Sequence, residues 1–373
     1  MIIAVNARML VKDKMEGIGY FTYESLKRIT RQQSGHEFIF LFDRPYDPSF
    51  IFSDNITPLI VSPPARHPIL WYLWFEQSLP RVFKKIKADL FLSTDGYLSL
   101  ASGQKTLAVI HDINFEHYPK DLPFFNRVYY RHYFPKYAKQ AARIATVSEY
   151  SRQDIVKAYN VPESKIDVVY NGAGEHFAPL STEQISSVRN KYTQGKPYFL
   201  FTGALHQRKN IANLMRAFDL FRQQSQEKFY LVLAGTKRWW TSEMESVYTA
   251  MKFKEDVVFT GRLTEEELIS VTGAAYAITY VSNFEGFGIP IVEAFRCDVP
   301  VITSNITSMP EIAGDAAVLV DPFSENSIAD GMTKLAADQG LRIQLIEKGR
   351  IRKSAFSWDK TADSLWASIE KTI

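Results

Sequence analysis

Ser282-Asn-Phe-Glu-Gly-Phe-Gly-Ile-Pro-Ile-Val-Glu-Ala-Phe295 is the stretch on which the reading of the whole chain turns. Ahead of it lies an apolar run, 274–281, short and β-branched enough for a buried strand. Gly286 and Gly288 follow, and Pro290 stands where a helix through about Arg296 would make its first turn. Proline is favoured there because its missing N–H would have had no helical partner. Strand, glycine loop and helix N-terminus together suit an anion. Glycines let backbone N–H groups approach closely, and the helix dipole favours negative charge.

Two acids bracket this stretch, Glu285 in the loop and Glu293 about one turn into the helix. A carboxylate beside a phosphate cradle is repelled by it, so each acid is read as an acceptor of hydrogen bonds from hydroxyls. A ligand with a diphosphate in the middle and polyols at both ends, a nucleotide-sugar, meets that description. The competing reading is a plain loop acid and an exposed helix residue, because isolated glycine motifs are weak signals.

At 373 residues the chain exceeds what one core usually supports, so two domains are expected. Hydrophobic residues at 46% and charged residues at 23% are ordinary for a globular protein. A formal net charge of +3 is too mild to argue for a nucleic-acid partner. The one cysteine, Cys297, excludes an internal disulfide and a cysteine-rich metal site, and it reads as a small buried hydrophobe. Met1-Ile-Ile-Ala-Val-Asn6 reads as a first strand, not a signal peptide. No run approaches the 18 apolar residues of a membrane span. The expectation is a cytoplasmic protein.

Residues 1–175 alternate short strands (2–5, 37–42, 56–61, 89–92, 106–110, 143–147) with helical patterns (20–31, 70–87, 126–140, 149–159). Such alternation implies a parallel sheet covered on both faces, with ligands at the carboxyl ends of its strands. After the first strand comes Glu16-Gly-Ile-Gly-Tyr20, where Gly17 and Gly19 open a helix or a simple turn. After strand 106–110 come His111 and Asp112. A His at a strand's carboxyl end is a candidate site residue, or a structural ring tied to a backbone carbonyl. His117 reads as a surface loop residue. Ser148 reads as a helix N-cap, and Asn171-Gly172 as a turn before a hinge ending near Ser181.

Residues 176–355 begin again with strand 198–202, then Gly203-Ala-Leu-His-Gln-Arg-Lys-Asn210 and a helix over 211–223. Arg208 and Lys209 stand before a helix N-terminus, where the dipole gives cations nothing, so a bound anion explains both better than solvation does. Strands 230–234 and 257–260 follow, then Arg262, a further candidate cation, and a Thr264-capped helix with acids in its first turn. Helices over 325–354 and 359–371 close the chain.

Several of these segments together resemble one family. Glu285-Gly-Phe-Gly-Ile-Pro-Ile-Val-Glu293 resembles the Glu-x7-Glu signature of the retaining family 4 glycosyltransferases. Pro300–Ser304 and Pro310–Pro322 also match, as do Val109–Pro119, Val161–Gly172 and the Arg208-Lys-Asn element. The resemblance implies the GT-B fold: two Rossmann-like, doubly wound parallel-sheet α/β domains facing a cleft. It assigns residues 1–175 to the acceptor side, 176–355 to the nucleotide-sugar and 356–373 to a helix returning to the first domain. It places Glu285 on the donor sugar and Glu293 on the ribose. Arg208, Lys209 and the backbone of Gly286, Phe287, Gly288 and Ile289 fall on the diphosphate. Gly17 and Gly19 border the donor phosphates, and His111 lies near the reacting carbon.

The family is thought to react on one sugar face, with the leaving phosphate accepting the acceptor's proton. No Asp-x-Asp occurs in the chain, so neither a metal nor any other cofactor is expected. The segment around His111 and the Arg-Lys-Asn element resemble mannosyltransferases of bacterial surface-polysaccharide assembly. GDP-mannose is therefore the expected donor, with UDP-sugars as alternatives and a glycan or lipid-linked oligosaccharide as acceptor. Rival readings are a nucleotide-sugar epimerase on the same fold and a non-catalytic sugar-nucleotide-binding subunit.

Aromatics reach 14% and concentrate at 67–87 and 126–139, interleaved with Lys and Arg. Such stretches lie on a lipid interface or, more commonly, are helices packing an aromatic face on the sheet. The first option adds peripheral contact at the inner face of the membrane to the expectations.

Overall fold

Among the described residues, thirteen strands, all parallel to their neighbours, form two separate sheets. The structure, a computed structural model, describes every residue except Asp13 and Glu16, so Glu16 of the N-terminal glycine loop lies outside the described residues. One unit comprises Met1–Gly172 with Trp358–Ile373, the other Ala173–Ser357.

The first unit holds β1 (Ile2–Asn6), β2 (Glu37–Phe42), β3 (Ile56–Ile60), β4 (Leu90–Ser93), β5 (Thr106–Val109), β6 (Arg143–Thr146) and β7 (Ile166–Val168), in the order β3-β2-β1-β4-β5-β6-β7. The central strands are mainly apolar and buried on both faces, with polar residues at their ends, as strands covered by helices on both sides must be. The register sets Asn6 beside Ser93 and Ser93 beside Ala108, so the ends of β1, β4 and β5 lie level. Everything that follows them gathers on one rim.

Two expectations are corrected here, and a third is met. Residues 161–172 do not simply lead out of the sheet, for Ile166–Val168 adds its seventh strand beside β6. The single helix expected over 70–87 is three pieces, Pro68–Leu73, a π segment Trp74–Ser78 and Leu79–Ile86. Leu79 N–H donates to Trp74 O, five residues back; Pro80, which has no N–H to donate, stands at the join. The aromatics mostly face inward: Trp71, Trp74 and Phe75 of these pieces, Tyr97 of the loop after β4, and Tyr129, Phe134 and Tyr137 of the helix Phe124–Gln140 are buried in one cluster.

The closing helix, Trp358–Thr372, buries Trp358, Leu365, Trp366 and Ile369. It packs on the Gly17–Gln32 helix and on β5 and β6. Trp358 lies over Gly172, where a Cβ would sit 2.4 Å from the Trp358 nitrogen. No side chain fits at that position.

The second unit holds β8 (Tyr198–Thr202), β9 (Tyr230–Ala234), β10 (Val257–Gly261), β11 (Ala277–Tyr280), β12 (Val301–Ser304) and β13 (Ala317–Val320), in the order β10-β9-β8-β11-β12-β13. Helices Thr182–Thr193 and Ser242–Ala250, not foreseen, carry weak apolar stripes and bury few residues. The helical stretch over 325–354 breaks at Asp338, whose side chain caps the second piece, Gln339–Arg352, by accepting from Leu341 N–H. Among the described residues, no helix is long and apolar enough to cross a membrane.

Candidate functional site

In the second unit, β11 ends at Tyr280, a loop runs through Gly288, and the helix Ile289–Arg296 begins. Gly288 takes φ +103°, and a Cβ there would meet Ile291 Cδ1 at 3.1 Å. The loop is tied from its neighbours on either side. Ser308 Oγ shares its one O–H between the carbonyls of Glu285 (2.9 Å) and Phe287 (3.1 Å), Ser304 Oγ donates to Ser282 O, and Asn283 N–H donates to Arg208 O. Phe287 is buried and meets Phe356 edge to face. With carbonyls consumed by Ser308, the loop is held in one shape while Gly288 turns the chain into the helix start.

The two cations that the sequence set before a helix N-terminus meet a carboxylate here. Lys209 Nζ lies 2.5 Å from Glu285 Oε1 and 2.7 Å from the Tyr280 hydroxyl; Arg208 Nη1 lies 3.4 Å from Glu285 Oε1 and donates to Phe284 O. All three charged side chains are largely withdrawn from water. Burial raises the pKa of Glu285, but Lys209 and Arg208 outweigh it and hold the carboxyl below its ordinary value. Burial pushes the Tyr280 hydroxyl well above its usual range, so it stays protonated. Asn210, at φ +62°, completes the corner by donating to Val281 O and Pro322 O. The result is two cations against one carboxylate, beside a glycine-lined helix start.

Glu293 sits half-buried one turn into the same helix. Burial, helped by the Glu265 carboxylate, pushes its pKa up to about 7. Cys297 caps the helix end and is buried, and burial pushes its thiol up to about 12, so it is inert at neutral pH.

In the first unit, His111 stands on the rim after β5. Its Nε2 lies 2.9 Å from Thr94 O, and its ring meets Phe21 edge to face at 4.8 Å. The structural role that sequence left open is thus present: the ring is tied to a carbonyl. Burial lowers its pKa, against the Thr94 bond and the nearby Asp112 and Asp95. Gly17 begins its helix with open space at its Cβ position, whereas Gly19 is buried and a Cβ would meet Met9 O at 3.1 Å. His117 is exposed, as expected of a surface residue, but it ends the short helix Asn114–His117, and its Nε2 pairs with Asp154 at 2.8 Å. Tyr280 and Ser308 were missed in sequence; a tyrosine in an apolar strand and a serine in a loop carry no pattern of their own. Among the described residues, no three His, Cys, Asp or Glu side chains are placed to hold a metal ion.

Comparison with known proteins follows the same division. Residues 183–352 match the family described as glycosyl transferases group 1, and residues 15–174 match glycosyltransferase family 4. The O-antigen chain mannosyltransferase B of Escherichia coli is 29% identical over 69% of this chain and 68% of its own length. The serotype-specific mannosyltransferase WbdA of Escherichia coli is 28% identical over 69% of this chain, but this chain spans only 32% of it. In structure, Anabaena HepE, solved with UDP and glucose, superposes with a TM-score of 0.77 over 99% of both chains at 15% identity, which establishes the GT-B fold. With both halves matched in order and the fold shared, the chain belongs to the group 1, family 4 glycosyltransferases.

Proposed function

We propose that this glycosyltransferase moves mannose from GDP-mannose, with retention of configuration, to a hydroxyl of a glycan or lipid-linked acceptor in surface-polysaccharide synthesis. The observation that carries the reading is the Arg208–Lys209–Glu285 group beside the Gly288 helix start. Two cations held by one acid leave a net positive charge where backbone N–H groups converge, which suits a diphosphate leaving group. Stabilising that developing charge is the main electrostatic task of the transfer. Glu285 keeps the two cations in place before the donor arrives and then accepts from the sugar hydroxyls. Glu293 takes the ribose hydroxyls and the backbone of Gly286, Phe287, Gly288 and Ile289 meets the phosphates; in the first unit, His111 with Gly17 and Gly19 carries the role that the resemblance gives it. The names of the relatives above support mannose.

Neither a metal nor another cofactor is needed in this scheme, because Arg208 and Lys209 supply the positive charge. The first unit also presents Phe124, Phe125, Val128 and Ile69, each more than half exposed, beside Arg127, Arg131 and Arg66. Apolar side chains among cations suit peripheral contact with an anionic membrane surface.

The test is a panel of GDP-, UDP- and dTDP-sugars scored by thermal stabilisation, with the wild type and Glu293→Ala. Stabilisation by GDP-mannose alone, lost in the variant, is the expected result; with EDTA present it should persist. Stabilisation by a UDP-sugar instead would move the donor, and no response to any of them would sink the reading.

A further inference from the structure

The rim after β4 carries a buried ion pair that the functions above do not use. Arg8 Nε donates to Asp95 Oδ2 at 2.6 Å, and both side chains are almost wholly buried. The guanidinium lies over the Tyr97 ring, 4.1 Å from its centre, and Burial opposes the Arg8 charge less than Asp95 and its neighbours favour it, so Arg8 stays ionised. Asp95 Oδ1 accepts from Asn6 Nδ2 (2.8 Å), Ser93 Oγ (3.2 Å) and Tyr97 N–H (3.3 Å). A buried pair of this kind gives little net stability against its desolvation cost, so its geometry is the more informative property.

That geometry fixes a turn. Residues 94–97 leave β4, with Gly96 at φ +80° packed against Ile110 and Phe134. Thr94 Oγ1 donates to Asn6 O and accepts from Thr22 Oγ1 on the Gly17–Gln32 helix. The carbonyl of Thr94 therefore points in one direction, and His111 Nε2 is bonded to it. A carbonyl oxygen can only accept, so Nε2 must carry the proton. In the neutral ring, Nδ1 is then a bare acceptor.

We propose that Arg8, Asn6 and Asp95 are positioning residues that hold the Thr94 carbonyl on His111, so that the ring presents Nδ1 as a hydrogen-bond acceptor for a hydroxyl. This rests on the reading of His111 as a residue that faces the reacting sugar. Asp95 acts through the turn, not on the substrate.

The experiment uses the full chain with 15N-labelled histidine. In the wild type a slowly exchanging Nε2-bound proton of His111 is expected, assigned by its absence in His111→Gln. Asp95→Asn and, because the first leaves Arg8 unpaired and could unfold the unit, the milder Asn6→Ala should both lose that protection. Each folded variant should also lose between about tenfold and a hundredfold in kcat, as displaced catalytic groups do, with KM for the donor within about twofold of the wild type. A wild type without a protected Nε2–H, or a folded variant that keeps both protection and kcat, would overturn the proposal. A wild type that transfers no sugar sinks the function proposed above, and the ring proton then decides this inference alone.

Discussion

On the proposed reading, the carboxyl of Glu293 ties donor binding to pH. Its folded pKa, about 7, lies above the ordinary glutamate value, so in the free protein the proton is held more tightly folded than unfolded. The favourable contribution is complete below the unfolded value and is lost as pH rises through about 7. Glu293→Gln is therefore expected to raise the urea midpoint relative to wild type at pH 8 and to leave it unchanged at pH 4. If ribose hydroxyls are taken by the ionised form, donor affinity should fall about tenfold between pH 8 and pH 6, since the ionised fraction falls by that factor across its pKa. Calorimetric titration at both values checks this; a flat profile, or one that Glu293→Gln retains, counts against the assignment. Glu285 behaves oppositely: Lys209 and Arg208 hold it ionised, and it changes nothing over this range.

The helix Phe124–Gln140 has buried and exposed aromatic side chains. Tyr129, Phe134 and Tyr137 are buried in the aromatic cluster, while Phe124, Phe125 and Val128 stay exposed in its first turns. Arg127 lies over the Phe124 ring, its guanidinium 5.4 Å from the centre, which keeps charge and ring together at the surface. Peripheral binding of this kind joins apolar insertion to attraction by anionic lipid. Phe124→Ser combined with Phe125→Ser should reduce binding to phosphatidylglycerol-containing vesicles by tenfold or more in a flotation assay, consistent with about 1.5–3 kcal/mol per buried aromatic. Binding that survives the double change would remove the membrane from the account. The same helix explains the aromatic richness visible in sequence. Most of it is core.

Across the whole chain, the last helix is structurally part of the first unit, 186 residues of sequence after Gly172. Arg28 Nε pairs with Asp359 at 2.5 Å, Thr361 Oγ1 donates to Tyr170 O, and Lys371 Nζ meets Asp167 at 3.0 Å. Burying Trp358, Leu365, Trp366 and Ile369 at roughly 2 kcal/mol each matches much of a domain's net stability of about 5–15 kcal/mol. Ending the chain at Ser357 should therefore unfold the first unit and spare the second. Hydrogen exchange is the measurement: amides of β1, β4 and β5 should lose protection while those of β8 and β11 keep it. Equal protection in both would show that the helix is dispensable.

The order of strands and helices was legible because apolar runs, caps and glycine turns are local. Thr264, Ser148 and Pro290 mark helix starts by the chemistry of a few adjacent residues. The edge strand Ile166–Val168 and the π segment at Trp74–Ser78 were not legible. The first is three residues long and exists through its pairing with β6, and the second comes from hydrogen-bond geometry within a continuous helical pattern. The candidate donor residues were legible as a motif, but their partners were not. Glu285 and Lys209 are 76 positions apart in sequence, and Arg8 and Asp95 are 87 apart. Parallel strands bring such residues to one rim, and an ion pair of this kind forms only once the sheet has set its register. Residue types and spacings thus determined the family, the alternation of elements and the candidate groups. Which charge meets which, and which nitrogen of His111 holds the proton, depend on contacts that folding alone creates.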